Sequence, residues 1–256
     1  MLQRAARYTY LLLLYGFLYL PIAVLIVYSF NDSKYAASWQ GFTWEWYGNL
    51  FDDDELLGVA VNSVTVALLA ATLATAIGAM AAVAIYRYRF FGKQLLNGLI
   101  FILIMSPDIV MGISLLILFV SLHLPLGFGT LLLAHITFCI PFVVVTVLSR
   151  ISGFDKYLIE AARDLGASEF QTFTRILLPL LLPAVVAGWL LSFTLSMDDV
   201  IISFFVTGPT FEILPLKIYS MVRIGVKPEV NALCTIMFGL TLVVVLGAQA
   251  LLREKR

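Results

Sequence analysis

Charge is what this 256-residue chain has least of: only 12% of its residues are Asp, Glu, Lys or Arg, against 61% hydrophobic. With a mean hydropathy of +0.99, that scarcity excludes an ordinary soluble domain, which would have no means of burying so much apolar surface, and assigns a polytopic membrane protein. Cysteine is nearly absent too. Cys139 and Cys234 both fall inside apolar runs with no metal-ligand spacing, which excludes a disulfide framework or a zinc site and leaves them as packing residues. No G-x-x-x-x-G-K-[ST] occurs, so the chain has no loop to cradle ATP phosphates; if ATP drives its work, the motor is another subunit. Neither a low-complexity tract nor the internal repeat of an inverted-repeat transporter is present. Nothing in the composition suggests a nucleic-acid partner.

What the chain has is six long apolar runs, at about 9–30, 60–85, 95–121, 128–149, 179–206 and 231–252. Each is close to the roughly 20 residues needed to cross about 30 Å of hydrocarbon. They predict an all-α polytopic protein in the lipid bilayer, with six transmembrane helices and a single membrane domain over residues 1–256. The basic residues near the N-terminus precede a run too long for a signal-peptide core, so it reads as a retained first span. Formal net charge is zero, yet twelve of the sixteen Lys and Arg residues fall on one side of these spans. Lys34, Lys217, Arg223 and Lys227 fall on the other. The positive-inside rule therefore puts both termini, and the segment 150–178, in the cytoplasm.

Three carboxylates sit at membrane depth. Asp108, Asp198 and Asp199 each carry an insertion penalty of roughly 2.5 to 3.5 kcal/mol even on the mildest scale. No Lys or Arg lies within any predicted span to neutralise them, so a permeating cation is the missing partner. Ser192, Ser196, Asp199 and Ser203 recur at helical spacing and form one polar stripe on the fifth span; such serines also serve to glue helices together. In a regular helix Asp198 stands about 100° round from Asp199, so only one of the two can lie on the stripe axis, while both can flank a wide pathway. Ser106-Pro107-Asp108 interrupts the third span and reads as the start of a new helix, hence a break or kink. Two readings stay open for Asp108: a carboxylate meeting the positive end of a helix, or one lining a substrate site, as helix breaks near the midplane commonly do.

The first outer loop holds Trp39, Trp44, Trp46 and Tyr47, followed by the acidic run Asp52-Asp53-Asp54-Glu55. The aromatics suit a membrane-interface belt; alternatively Trp46 stacks on an ammonium group at the mouth of the pathway. The acidic run reads as a solvated face that also raises local cation concentration. His135 has no carboxylate within a turn of its own helix and reads as a satisfied packing residue rather than a proton relay.

The segment 150–178 is a water-facing insert between two apolar runs. Asp155 is a predicted N-cap, Leu158, Ala161, Ala162 and Leu165 line one face, and Gly166 stops the helix. Ser168-Glu-Phe-Gln171 is a capping box that opens a second short helix. Glu160-Ala161-Ala162, Gly166, Ile176, Leu178 and Pro179 together read EAA-x3-G-x9-I-x-LP. This pattern resembles the EAA loop by which ABC-importer permeases dock on a separate ATPase; an amphipathic helix lying on the lipid is the alternative. Glu169, in the same loop, is grouped with the ATPase-coupling residues.

The stretches FNDSKYAASWQGFTWEWYGNL, AIYRYRFFGK, MSPDIVMGISLL, HITFCIPFVVVTV, EAARDLGASEF and LSFTLSMDDVIISFFVTGP extend the resemblance over nearly the whole chain. They are similar to the PotC-type permeases of spermidine/putrescine ABC importers. That resemblance implies a type I importer permease of the bacterial inner membrane, working with a second, PotB-type permease, a pair of ATPase subunits and a periplasmic polyamine-binding protein. It implies transport rather than an enzyme activity in this chain, with ATP and magnesium held by the ATPase partner and no cofactor here. Asp108, Ser196, Asp198, Asp199 and Trp46 are the expected substrate-pathway residues. The rival readings are a self-contained cation/proton antiporter using the same aspartates, a permease for another organic cation, and a structural scaffold for an ATPase.

Overall fold

A computed structural model describes residues 2–33, 38–154, 157–224 and 228–253. Asp155, the predicted N-cap, lies outside the described residues, as do Lys34, Lys156, Lys227, Lys255 and Arg256. The described chain is built from helices: α1 (Leu2–Tyr28), α2 (Glu45–Asp52), α3 (Asp54–Arg87), α4 (Lys93–Met105), α5 (Asp108–Ser121), α6 (Phe128–Ile151), α7 (Tyr157–Asp164), α8 (Glu169–Gln171), α9 (Leu178–Asp198), α10 (Ile201–Val206), α11 (Leu214–Ile224) and α12 (Pro228–Arg253), with a π-helical turn over Thr172–Leu177 between α8 and α9. Among the described residues, five helices are long and apolar enough to cross a membrane. A sixth span exists only if α4 and α5, bent by 115° at the break between them, count as one. The break anticipated at Ser106-Pro107 is thus present, with Ser106 and Pro107 both extended.

Proline chemistry explains where two helices depart from regularity. Pro107 removes a backbone donor and biases Ser106 out of the helical region, so α4 stops and α5 begins afresh. Pro179, in the first turn of α9, lacks an N–H and crowds the carbonyl four residues back. The π-turn occupies the residues just before it. One consequence differs from the sequence reading. The capping box at Ser168–Gln171 is present, with the Ser168 hydroxyl accepting from Gln171 N at 3.2 Å and Ser168 N donating to Gln171 Oε1 at 2.9 Å. It does not open a separate short helix, however: α8, the π-turn and α9 run on as one 30-residue helix, Glu169–Asp198.

The chain divides into two compact units. The first comprises Met1–Gly58 and Lys217–Leu251. In it the first outer loop folds around Asn31. The Asn31 carbonyl accepts from the Trp46 indole N–H at 2.7 Å, its side-chain amide donates to Ser38 O at 2.8 Å, and its side-chain oxygen accepts from Gln40 N at 2.8 Å. Phe30 stacks on Phe42 and meets Trp44 edge-on, with centroids 5.3 and 4.7 Å apart. The acidic run is partly structural here, since Asp53 Oδ1 accepts from Leu56 N at 2.9 Å at the start of α3 and Glu55 pairs with Lys217.

The second unit comprises Val59–Leu216 and Leu252–Arg256. Its core is the packing of α6 on α9, joined by α3, α4, α5 and α10. Small residues make this possible: a Cβ at Gly78 on α3 would stand 2.7 Å from Val143 Cβ on α6, and one at Gly112 on α5 would stand 3.3 Å from the Ile202 Cα on α10. Such close backbone approach is the usual basis of helix association in lipid, where apolar burial supplies little drive.

Candidate translocation site

The polar stripe of the fifth span does not lie on one regular helix. α9 ends at Asp198, Asp199 is extended (φ −68°, ψ 124°), and α10 restarts at Ile201. Asp199 caps the new helix from just upstream. Its Oδ1 accepts from Ile202 N at 3.2 Å, and its Oδ2 accepts from Ser203 N at 2.8 Å and the Ser203 hydroxyl at 2.7 Å. A carboxylate at this place satisfies orphan amide donors and meets the positive end of the helix. The other end of α10 is also held, because the Thr130 hydroxyl of α6 donates to the Val206 carbonyl at 2.8 Å.

The expectation that the three acids have no basic partner within the membrane is corrected at Asp199. His135 Nε2 of α6 lies 3.5 Å from Asp199 Oδ2 and 2.9 Å from the Ser203 hydroxyl oxygen, and its Nδ1 lies 2.6 Å from the Ser196 hydroxyl oxygen. The imidazole is fully buried. Its carboxylate neighbour is real, but it comes from the break between α9 and α10, 64 positions further along the chain, so spacing along α6 could not reveal it. Ser196 is buried against this histidine, and Ser192 gives its backbone carbonyl to the Cys139 thiol at 3.5 Å. The hydroxyls of Ser196 and Ser203 therefore face α6 and join helices together, one of the two roles considered for the stripe.

Asp108 and Asp198 differ from Asp199. Both side chains are exposed, and among the described residues neither takes part in an ion pair. The two helix breaks bring them together: Asp108 from the start of α5 and Asp198 and Asp199 from the end of α9 line one pocket of about 400 Å³. Its remaining wall includes Ser106, Met111, Phe138 and Phe142, and no Lys or Arg contributes to it. Its acid lining and apolar walls can receive a cation with a hydrocarbon body.

Trp46 belongs to the other compact unit. It is buried and its indole N–H is engaged by Asn31, whereas Trp39 and Trp44 are the exposed indoles of that loop.

The segment 157–180 forms the second feature. α7 ends at Asp164, and two residues on Gly166 adopts φ +79°, a conformation that glycine takes without strain. Glu160 and Ala161 are exposed, Ala162 is buried, and Leu165 is 88% exposed. Ala161, Ala162, Leu165, Ile176, Pro179 and Leu180 line an open, largely apolar hollow of about 480 Å³, to which Arg175 also contributes. Leu178 is exposed beside it. Glu169 instead pairs with Arg87 at the end of α3, a tie that the sequence reading did not anticipate.

These features recur in known proteins. Residues 74–256 match the family described as binding-protein-dependent transport system inner membrane component. The chain belongs to this family. It is 58% identical over 255 residues to the spermidine/putrescine transport system permease protein PotC of Escherichia coli strain K12, covering 100% of this chain and 97% of that protein. It is 44% identical over 243 residues to the putrescine transport system permease protein PotI of the same organism, covering 91% and 85%. Among solved structures, a bacterial ABC transporter that imports the acidic polysaccharide alginate superposes with a TM-score of 0.74 at 16% identity, covering 99% of this chain and 96% of that one. This last likeness establishes the fold, that of an ABC-importer permease. Membership makes the chain a multi-pass permease subunit of the bacterial inner membrane rather than an enzyme, with ATP hydrolysis assigned to a separate subunit and delivery to a binding protein. It gives no support to a self-contained antiporter.

Proposed function

We propose that this permease passes polyamines into the cytoplasm through the pocket between α5 and α9, with Asp108 and Asp198 as its substrate-facing carboxylates. The observation that carries the reading is the meeting of three acids at two helix breaks in a pocket lined by no basic residue. A polyamine offers separated ammonium groups on an apolar chain, and the pocket offers carboxylates on an apolar wall. The names of the similar permeases PotC and PotI, both polyamine transport proteins, support the same class of substrate.

In this reading both termini and residues 150–178 lie in the cytoplasm, as the distribution of basic residues favours. The exposed Glu160, the apolar hollow over Ala161, Ala162, Ile176 and Pro179, and the Gly166 turn form the face that meets the ATPase. Motion of that face is conveyed through the continuous helix Glu169–Asp198, which leads directly to the Asp198–Asp199 break. A PotB-type permease completes the pathway, ATP and magnesium stay with the ATPase pair, and a periplasmic polyamine-binding protein delivers the cargo. The chain itself needs no cofactor.

The test is a complex reconstituted in proteoliposomes with spermidine-loaded or putrescine-loaded receptor. Either loaded receptor should stimulate ATP hydrolysis and import. Asp108→Asn and Asp198→Asn should assemble normally and import poorly. Near wild-type import by both variants would refute the site.

A further inference from the structure

We propose that His135 is a positioning residue of the translocation pathway: through its Nε2 it holds the Asp199-capped end of α10 and so keeps Asp198 directed at the pocket. The inference rests on the reading above, in which Asp108 and Asp198 meet the substrate. His135 does not line the pocket, so any influence it has on substrate passes through other residues.

The hydrogen-bond directions follow from proton counting. Ser203 donates its single hydroxyl proton to Asp199 Oδ2. Its oxygen is therefore free only to accept, and the donor at 2.9 Å is His135 Nε2–H. Nδ1, in that tautomer, accepts the Ser196 hydroxyl proton at 2.6 Å. The relay runs from Ser196 on α9, through His135 on α6, to Ser203 and Asp199 on either side of the restart of α10. It bonds both halves of the broken span to one imidazole.

The break matters because of what a continuous helix would do. With Asp199 returned to helical geometry, Asp198 and Asp199 would diverge by about 100°, which narrows the ways both can face the pocket. The extended backbone of Asp199 allows both to reach it. Buried polar networks of this kind fix a unique arrangement when every member is satisfied.

Two substitutions separate the ring nitrogens. His135→Gln carries an amide to the Nε2 position and can still donate to Ser203; His135→Asn reaches only the Nδ1 position. Radiolabelled spermidine imported per ATP hydrolysed is measured in proteoliposomes, with receptor-stimulated ATPase and complex yield read in parallel. This ratio would not move if the residue only supported folding. His135→Asn should lower it about tenfold, on the scale of one lost buried hydrogen bond, with ATPase and yield close to wild type, while His135→Gln stays close to wild type throughout. Ser203→Ala removes this contact together with the hydroxyl bond to Asp199 Oδ2, so it should lower the ratio at least as far as His135→Asn, and the double variant should fall no further than Ser203→Ala alone; it decides the matter if neither histidine variant assembles. Asp198→Asn is the companion control. If its ratio is unchanged, the site reading fails and this inference fails with it. If Asp198→Asn is impaired while His135→Asn and Ser203→Ala keep the wild-type ratio, or if Gln and Asn at 135 lower it equally, this inference alone is overturned.

Discussion

Replacing the adjacent acids one at a time by alanine should separate a substrate-facing carboxylate from a structural one. Asp199 accepts three hydrogen bonds, two from backbone amides of α10 and one from Ser203. Bonds to a charged acceptor are worth roughly 1.5–3 kcal/mol each in soluble proteins, but interhelical bonds in membranes average nearer 0.6 kcal/mol. The lost cap itself costs about 1 kcal/mol. Allowing for partial replacement of the bonds by water in the adjoining pocket, Asp199→Ala should lose about 2–4 kcal/mol of stability. Asp198 accepts no comparable cap and is exposed in the pocket, so Asp198→Ala should lose less than about 0.5 kcal/mol, as surface substitutions do. Thermal unfolding of the purified complex in detergent measures the first quantity, and uptake of labelled polyamine normalised to complex abundance measures the second. Asp198→Ala should unfold like wild type and transport poorly, whereas Asp199→Ala should unfold several degrees earlier. Equal destabilisation by the two substitutions would refute the division of labour.

Gly166→Ala should weaken retention of the ATPase in pull-downs at unchanged membrane yield, because its φ of +79° strains an L-residue by about 1 kcal/mol. Glu160→Lys should do the same by reversing an exposed charge on the docking face, again read by pull-down. Trp46→Phe should lower thermal stability by about 1 kcal/mol through loss of the indole bond to the Asn31 carbonyl, with uptake per assembled complex little changed; a large selective loss of uptake would favour a cation–π contact. Arg87→Ala and Glu169→Ala should show non-additive losses of ATPase-coupled import in a double-mutant cycle if their ion pair joins α3 to the coupling segment.

Where a local rule decides the outcome, the sequence was readable. Pro107 dictates the α4–α5 break, Gly166 the end of α7, and Ser168 with Gln171 the capping box; each is a backbone or short-range effect confined to about four residues. Five of the six apolar runs likewise coincide with helices long enough to cross a membrane, the third being the bent pair α4 and α5. The unreadable parts are relations between distant segments. His135 appears in isolation along α6, yet it stands against Ser196, Asp199 and Ser203 once α6 packs on α9 and α10. The count of basic residues was correct, but it overlooked that a histidine can serve as the partner. The break at Asp199 carries no proline or glycine to announce it. Its cause is the competition between continuing α9 and capping α10, which only the tertiary contacts from His135 and Thr130 resolve. Nor could a periodicity argument foresee that the π-turn before Pro179 would merge α8 with α9.

This division has a physical consequence for transport. A carboxylate that already accepts three hydrogen bonds has little remaining capacity for an ammonium group, while one facing a pocket without an ion pair retains nearly all of it. Asp108 and Asp198 are of the second kind, and they come from two different helix breaks. A site assembled from two breaks is disassembled by relative movement of the helices that carry them. Asp198 ends the helix that begins at Glu169, in the segment proposed to meet the ATPase, so a displacement there would change the Asp108–Asp198 separation without unfolding any helix. Coulomb attraction falls with distance, and more steeply once water enters. A modest separation of the two acids would therefore release a doubly anchored polyamine, which ties loss of affinity to the motion that the motor drives.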